Sequence, residues 1–291
     1  MKVAVVGPGA LGCLFAARLF RSGAKTQLVD HDAKRASRLN KSGITVASRD
    51  ETFTEMVPVS TTIPSGLDLI IVLTKAYSTR DLSFPDDVPV LTLQNGLGNV
   101  ETLCTLIGSA RILAGTTVEA ATLLEEGHTQ HVAKGVSRIG SWTSCPTDSA
   151  LSALSAAGFE VEVTDSPGQL LWEKLAISAG ISPLTAILGV TNGQLLEIKE
   201  TRQLMRDLVV EAVKVAATEG YRFEHSIVES AEAICKATSD NVSSMLQDIR
   251  AGKRTEIEAI SGEVLRRAQA ASLPTQRTRV IYQLIQGLER R

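Results

Sequence analysis

Short apolar runs fill the first half of the chain, and helical periodicity fills the second. Val3 to Val6 form a β-branched run. A helical pattern through Leu14, Ala17, Leu19 and Phe20 follows, then a short strand ending at Val29. Together they predict a strand–turn–helix–strand unit. "DLIIVLTK" (68–75) is almost continuously apolar, as a strand covered on both faces should be. "VPVLTLQNG" (88–96), "ARILAGTTVEAA" (110–121) and "GFEVEVTD" (158–165) predict three further strands. "GHTQHVAKGVSRIGSW" (127–142) alternates like an antiparallel hairpin or a pair of edge strands.

At "SPGQ" (166–169) the pattern changes, and Ser and Pro there signal a helix start. Helices are predicted over 170–189, 200–219, 226–237, from near 241, over 253–271 and over 275–289. Residues 200–219 and 256–271 carry apolar stripes at i, i+3, i+4. The fold class is therefore α/β. An α/β domain over 1–166 precedes an all-helical domain over 167–291.

Charge narrows the function. Thirty basic and 32 acidic residues leave a net charge of −2, which gives no general attraction to nucleic acid or an anionic membrane. Cys13, Cys104, Cys145 and Cys235 lie far apart, without metal-type or redox spacing. Charge returns by Arg18 and Arg21, unlike a secretory signal peptide. The most apolar stretch, 175–192, is broken by Ser178, Ser182, Pro183 and Thr185, unlike a lipid-facing span. A soluble, cytoplasmic protein with a small-molecule partner and no metal is expected. The apolar helices 200–219 and 275–289 offer surface for a homodimer.

The turn after the first strand reads G-x-G-x-x-G, through Gly7, Pro8, Gly9, Ala10, Leu11 and Gly12. In a dinucleotide site the first glycine allows the tight turn, the second admits a pyrophosphate to the backbone, and the third lets helix and sheet approach. The helix start then faces the anion, so residues 1–166 read as a Rossmann-type NAD(P)-binding domain and 167–291 as a helical substrate and catalytic domain, with substrate expected between the two. Asp30 follows 18 residues after Gly12, at the end of the second strand, where an acid accepts ribose hydroxyls. His31, Lys34 and Arg35 come directly after it. Lys75, Asn95 and the Thr116–Glu119 stretch sit at the carboxyl ends of other strands, on the ligand side of an open parallel sheet. In "LLWEKLAISAGISPLTAILG" (170–189), Lys174, Ser178 and Ser182 recur every four residues and draw a polar line along a greasy helix. Pro183 within it predicts a kink, and Gly252 predicts a break between Ser244 and Glu256.

The strings "GPGALG", "LTKAY", "LQNGLG", "GTTVEAATLLEEG", "HVAKG", "LLWEKLAISAGISPLTAI", "TNGQL" and "NVSSMLQDIRAGKRTEIEAISGEVLRRA" span nearly the whole chain. In that order they resemble the ketopantoate reductase family, NADPH-dependent enzymes that reduce 2-dehydropantoate to (R)-pantoate in pantothenate synthesis. The resemblance implies that Lys174 is the catalytic proton donor and that Glu256 pairs with it. It places Asn95 near nicotinamide and substrate carbonyl, Lys75 on the cofactor side, and Ser244 and Asn192 on the substrate; Glu119, from its strand-end position, is also expected on the cofactor. It implies NADP as cofactor, with His31 where the family typically has a basic residue, whereas Asp30 taken alone fits NAD. Ser178 and Ser182 stand where the family commonly carries asparagines, and serine offers a single rotating hydroxyl in place of an amide. A reductase of another small 2-oxo acid therefore stays open, as does a non-catalytic dinucleotide-binding sensor.

Overall fold

The run Val3–Val6 lies inside an eight-stranded sheet, covered on both sides. The structure is a computed structural model that describes residues 1–290. It divides into two units, one of residues 1–94 and 99–167, the other of residues 95–98 and 168 onward. The short segment Asn95–Gly98, which sequence reading kept in the first domain, thus counts with the helical unit.

In the first unit the elements run β1 (Lys2–Val6), α1 (Ala10–Arg21), β2 (Lys25–Val29), α2 (Ala33–Ser42), β3 (Ile44–Ala47), β4 (Thr52–Glu55), β5 (Val59–Ser60) and β6 (Leu69–Val72). They continue with β7 (Val90–Thr92), α3 (Asn99–Ile107), β8 (Ile112–Thr117), β9 (Ala120–Glu125), β10 (His128–Ala133), β11 (Ser137–Ser141), α4 (Asp148–Ala156) and β12 (Val161–Val163). The large sheet has the order β12-β11-β8-β7-β6-β1-β2-β5. Only the β8–β11 pair is antiparallel. From β5 to β8 the strands follow the doubly wound order 3-2-1-4-5-6, which reverses between β1 and β6. Ligands of such sheets bind beyond the carboxyl ends at that reversal, where the glycine turn leaves β1.

A second sheet, β4-β3-β10-β9, covers α1. The Thr129 hydroxyl of β10 donates to the Ala10 carbonyl at the start of α1, 3.2 Å away. Buried Leu14, Phe15 and Leu19 of α1 face the core, where Phe15 stacks on Phe159 with ring centres 4.2 Å apart. Two strand readings change here. The run 110–121 is two strands, because exposed Val118 and buried Glu119 break it and β9 crosses to the small sheet. The segment 127–142 is no hairpin: β10 pairs with β3 and β9, while β11 pairs with β8 and β12.

The second unit holds α5 (Pro167–Leu188), α6 (Gln194–Glu197), α7 (Lys199–Thr218), α8 (Ile227–Ala237), α9 (Ser244–Arg250), α10 (Glu263–Ala270) and α11 (Gln276–Leu288). Helix α5 runs unbroken through Pro183. It packs on α7 at Gly180, where a Cβ would sit 2.6 Å from a Val209 methyl carbon. After α9 the chain turns at Gly252, φ +61°, and helical backbone resumes only at Glu258, five residues later than the sequence pattern suggested. The stripes of α7 and α11 are buried within the chain, through Met205, Leu208, Val209, Ile281 and Ile285. Val280 and Leu284 of α11 stay exposed. No described helix is long and apolar enough to cross a membrane.

Gly180→Val should overpack the α5–α7 contact and cost about 1–3 kcal/mol of stability. Chemical denaturation should show a lower midpoint at an unchanged slope.

Candidate functional site

In the turn between β1 and α1 the backbone demands glycine at Gly7 and Gly12 and leaves open space over Gly9. Gly7 has φ +112°, and a Cβ there would lie 2.7 Å from the Thr74 nitrogen at the end of β6. Its N–H donates to the Val29 carbonyl at the end of β2, 3.0 Å away. A Cβ on Gly12 would run into the Gly7 carbonyl oxygen. Gly9 is exposed, and a Cβ on it would meet nothing within 4 Å. No side chain caps α1, and no acidic residue lies in its first turn. An open cradle over uncapped amides at a helix start fits a pyrophosphate. Pro8, Ala10 and Leu11 line the turn, all half-buried.

The end of β2 differs from the sequence expectation. Asp30 was read as an acid displayed to a ribose, but its side chain is fully buried. Its oxygens accept from Arg35 Nε at 2.5 Å, Arg35 Nη2 at 2.6 Å and the Asp32 N–H at 3.0 Å. Asp32 causes this by capping α2: its carboxylate accepts from the Lys34 and Arg35 amides, and Arg35 folds back from that first turn. His31 stays 88% exposed.

Lys75 is half-buried just before a short 3₁₀ turn, Ala76–Asp81. Sequence reading missed Gln94, a buried amide that donates to the Thr74 carbonyl at 2.9 Å and to Thr79 Oγ1 at 2.8 Å. It ties the end of β7 to the end of β6; its place beside Asn95 in "LQNG" was the only signal. Glu119, expected on the cofactor side, is buried with both oxygens engaged. One lies 2.5 Å from His131 Nε2, and the other accepts the Gly135 N–H at 3.3 Å.

In the helical unit the polar line of α5 holds Lys174, Ser178 and Ser182, all half-buried. The line ends at buried Thr185, whose hydroxyl bonds to the Ser182 carbonyl at 2.9 Å and to Ser243 Oγ at 2.7 Å. Glu256 is buried, and Asn95 Nδ2 donates to its Oε2 at 3.3 Å. Burial lowers the Lys174 pKa to about 8, and the Glu256 charge opposes that fall. An ammonium with a reduced pKa, a carboxylate acting on it and an amide on that carboxylate can protonate a carbonyl oxygen on which charge develops.

A π turn, Glu258–Gly262, sets Asn95 beside Glu256. Gly262 N–H bonds back five residues to the Ile257 carbonyl, 2.9 Å away, and the Ala259 carbonyl accepts the Leu97 N–H at 2.8 Å. Gly96, φ +82°, rests so close to Ala259 that a Cβ would collide with it. Nothing in the sequence pattern announced this turn.

The remaining expected substrate residues are spread out. Ser244 is exposed on the first turn of α9; its neighbour Ser243 is the buried cap. Asn192 is buried, with Nδ2 on Thr238 Oγ1 at 2.9 Å and its Oδ1 without a hydrogen-bond partner. The bend at Gly252 separates Ser244 from Glu256, as the glycine suggested.

Comparison with known proteins covers both units. The family described as "Ketopantoate reductase PanE/ApbA" matches residues 3–144, and "Ketopantoate reductase PanE/ApbA C terminal" matches residues 168–289. The 2-dehydropantoate 2-reductase of Halobacterium salinarum is 34% identical, over 100% of this chain and 99% of its own. That of Pyrococcus horikoshii is 32% identical, over 99% of this chain and 98% of its own. A solved PanE/ApbA family ketopantoate reductase from Ralstonia eutropha has a TM-score of 0.90 at 27% identity, covering 100% of this chain and 99% of its own. D-mandelate dehydrogenase, solved with NADH and anilino(oxo)acetate, shares the fold at TM-score 0.91 and 24% identity, covering 100% of this chain and 99% of its own. With both halves matched and the relatives aligned end to end, the chain belongs to the ketopantoate reductase family.

Proposed function

We propose that this chain reduces the keto group of 2-dehydropantoate to (R)-pantoate, a step of pantothenate biosynthesis, with NADPH as reductant. The observation that carries the reading is Lys174, half-buried on α5 with its pKa lowered and the buried Glu256 carboxylate acting on it. The reduced nicotinamide, when bound, supplies hydride to the carbonyl carbon. As the carbonyl π electrons move onto oxygen, Lys174 gives that oxygen its proton. Glu256 keeps the ammonium charged until then, and Asn95 orients Glu256. Ser178, Ser182 and Ser244 offer hydroxyls to the substrate, and Asn192 offers its unpartnered Oδ1. The cradle over Gly9 supports the dinucleotide. Family membership and the basic side chains after β2, exposed His31 and Lys34, support NADPH. The four cysteines are unpaired, which fits a reducing cytoplasm.

Lys174→Ala should cut turnover by about 1,000-fold while leaving NADPH binding intact by calorimetry. Undiminished turnover would remove Lys174 from the mechanism.

The reduction needs Lys174 protonated, so kcat should fall as pH rises through about 8. Glu256 raises the Lys174 pKa, so Glu256→Gln should move that limb to lower pH. A kcat–pH profile of both proteins checks the sign.

Ser178 and Ser182 favour a second reading, reduction of a different small 2-oxo acid. Steady-state rates on a panel of 2-oxo acids decide it. The first reading expects 2-dehydropantoate to exceed pyruvate in kcat/KM, and equal values would hand the site to the second.

A further inference from the structure

The carboxyl end of β2 holds a carboxylate where a ribose-binding acid is expected, yet that carboxylate is buried beneath an arginine. Register pairs Val6 with Val29, so Asp30 lies level with Gly7, and the Gly7–Val29 hydrogen bond joins the two. Asp30 is therefore at the right place for the adenosine side of a dinucleotide seated on the glycine turn. Its side chain is nevertheless fully buried, behind a two-point grip from Arg35. A ribose hydroxyl would have to displace that guanidinium to bond the carboxylate.

Arg35 is what the surface presents instead, with its side chain 27% exposed. A guanidinium has five N–H donors in a rigid fork. Asp30 takes Nε and one Nη2 hydrogen, and the Nη1–Nη2 edge remains. Among the described residues no other acceptor hydrogen-bonds to Arg35. The free edge has the geometry that binds phosphate through two parallel hydrogen bonds. The neighbouring arginine of α2 is already engaged: Arg38 grips Glu126 at 2.7 and 2.8 Å. Charge points the same way. Asp30 alone would repel a 2′-phosphate, but paired with Arg35 it is neutralised, and exposed His31 and Lys34 flank it.

We propose that Arg35, anchored by buried Asp30, recognises the 2′-phosphate of the adenosine ribose, and that Asp30 is its counter-ion and no ribose ligand. This rests on the reading that a nicotinamide dinucleotide binds at the glycine turn. An acid at the end of β2 then coexists with NADPH use, because its charge is turned inward.

The test is calorimetric titration of the intact chain with NADPH and with NADH, which needs no turnover. Arg35→Gln should weaken NADPH about 10-fold to 100-fold and leave NADH within about 3-fold. Asp30→Asn should leave NADH within about 3-fold, since the carboxylate makes no ribose contact. Arg35→Gln strands a buried charge; if it fails to fold, the double variant Asp30→Asn/Arg35→Gln leaves two neutral amides and carries the same readout. That double variant should bind NADPH and NADH about equally. NADPH affinity unchanged by loss of Arg35, or a tenfold loss of NADH on Asp30→Asn, overturns the proposal while the dinucleotide reading stands. A wild-type chain that binds neither dinucleotide overturns both.

Discussion

An ammonium withdrawn from water is tolerable only if a carboxylate is withdrawn with it, and the helical unit is arranged to meet that condition. Helix α5 is apolar around most of its surface, which lets it pass through the middle of its unit and makes a lysine on it costly. Glu256 answers the cost, and its own placement is demanding. It lies in a non-helical segment, after the chain has turned at Gly252 and before the π turn begins at Glu258. Thr255 fixes that segment from both sides: its N–H bonds to Glu289 at 2.6 Å, and its hydroxyl accepts the Ile257 N–H at 3.1 Å. A helix running straight from α9 into α10 would carry Glu256 along its own axis. The interruption lets one acid be set opposite one lysine on another helix, and π turns recur at functional sites for this kind of reason.

The same condition recurs in the first unit with other partners. Asp30 has Arg35, and Glu119 has His131. Both acids sit just beyond the carboxyl ends of parallel strands, where polar side chains are usually taken for ligand contacts. Both are turned inward, because the backbone after each strand places a basic side chain over them. After β2 the device is local: Asp32 caps α2 and brings Arg35 back within five residues. After β8 it is longer-range, since the acid lies in the link between β8 and β9 and its histidine comes from β10.

That difference decides what was legible in the sequence. The β1–α1–β2 unit could be read because every determinant is within 30 residues: the β-branched run, the three glycines and the helix stripe. The long helices α5, α7, α8 and α11 could be read from period, the start of α5 from Pro167 and the end of α9 from Gly252. The small sheet could not. Strand β4 is "TFTE", three of its four residues polar and alternate ones exposed at an edge, and β3 is four residues long, so neither rises above loop composition. The false hairpin at 127–142 shows the limit of alternation. It reports that each strand has one covered face, and it says nothing about which sheet covers it. The pairing of Lys174 with Glu256 spans 82 positions and was available only through family resemblance. Asp30 was legible only in part: its position suggests a ribose contact, while its burial depends on a rotamer of Arg35 that no spacing rule encodes.

The polar line on α5 shows why a buried helix carries such side chains at all. At its far end Thr185 is satisfied by the protein, through Ser182 and Ser243, and this ties α5 to the cap of α9. The remaining members, Lys174, Ser178 and Ser182, are half-buried and lie a turn apart on one face. A serine hydroxyl there stands nearer its own helix than an asparagine amide and donates one hydrogen where the amide donates two. A site that loses amide donors loses the penalty by which it rejects a substrate unable to bond them, because unpaired buried donors are what make rejection strong. On the proposed function, discrimination along α5 rests on shape and on the Lys174–Glu256 pair, with the pair holding the reaction type and the two serines the choice of 2-oxo acid, so that the two properties can vary independently within one fold.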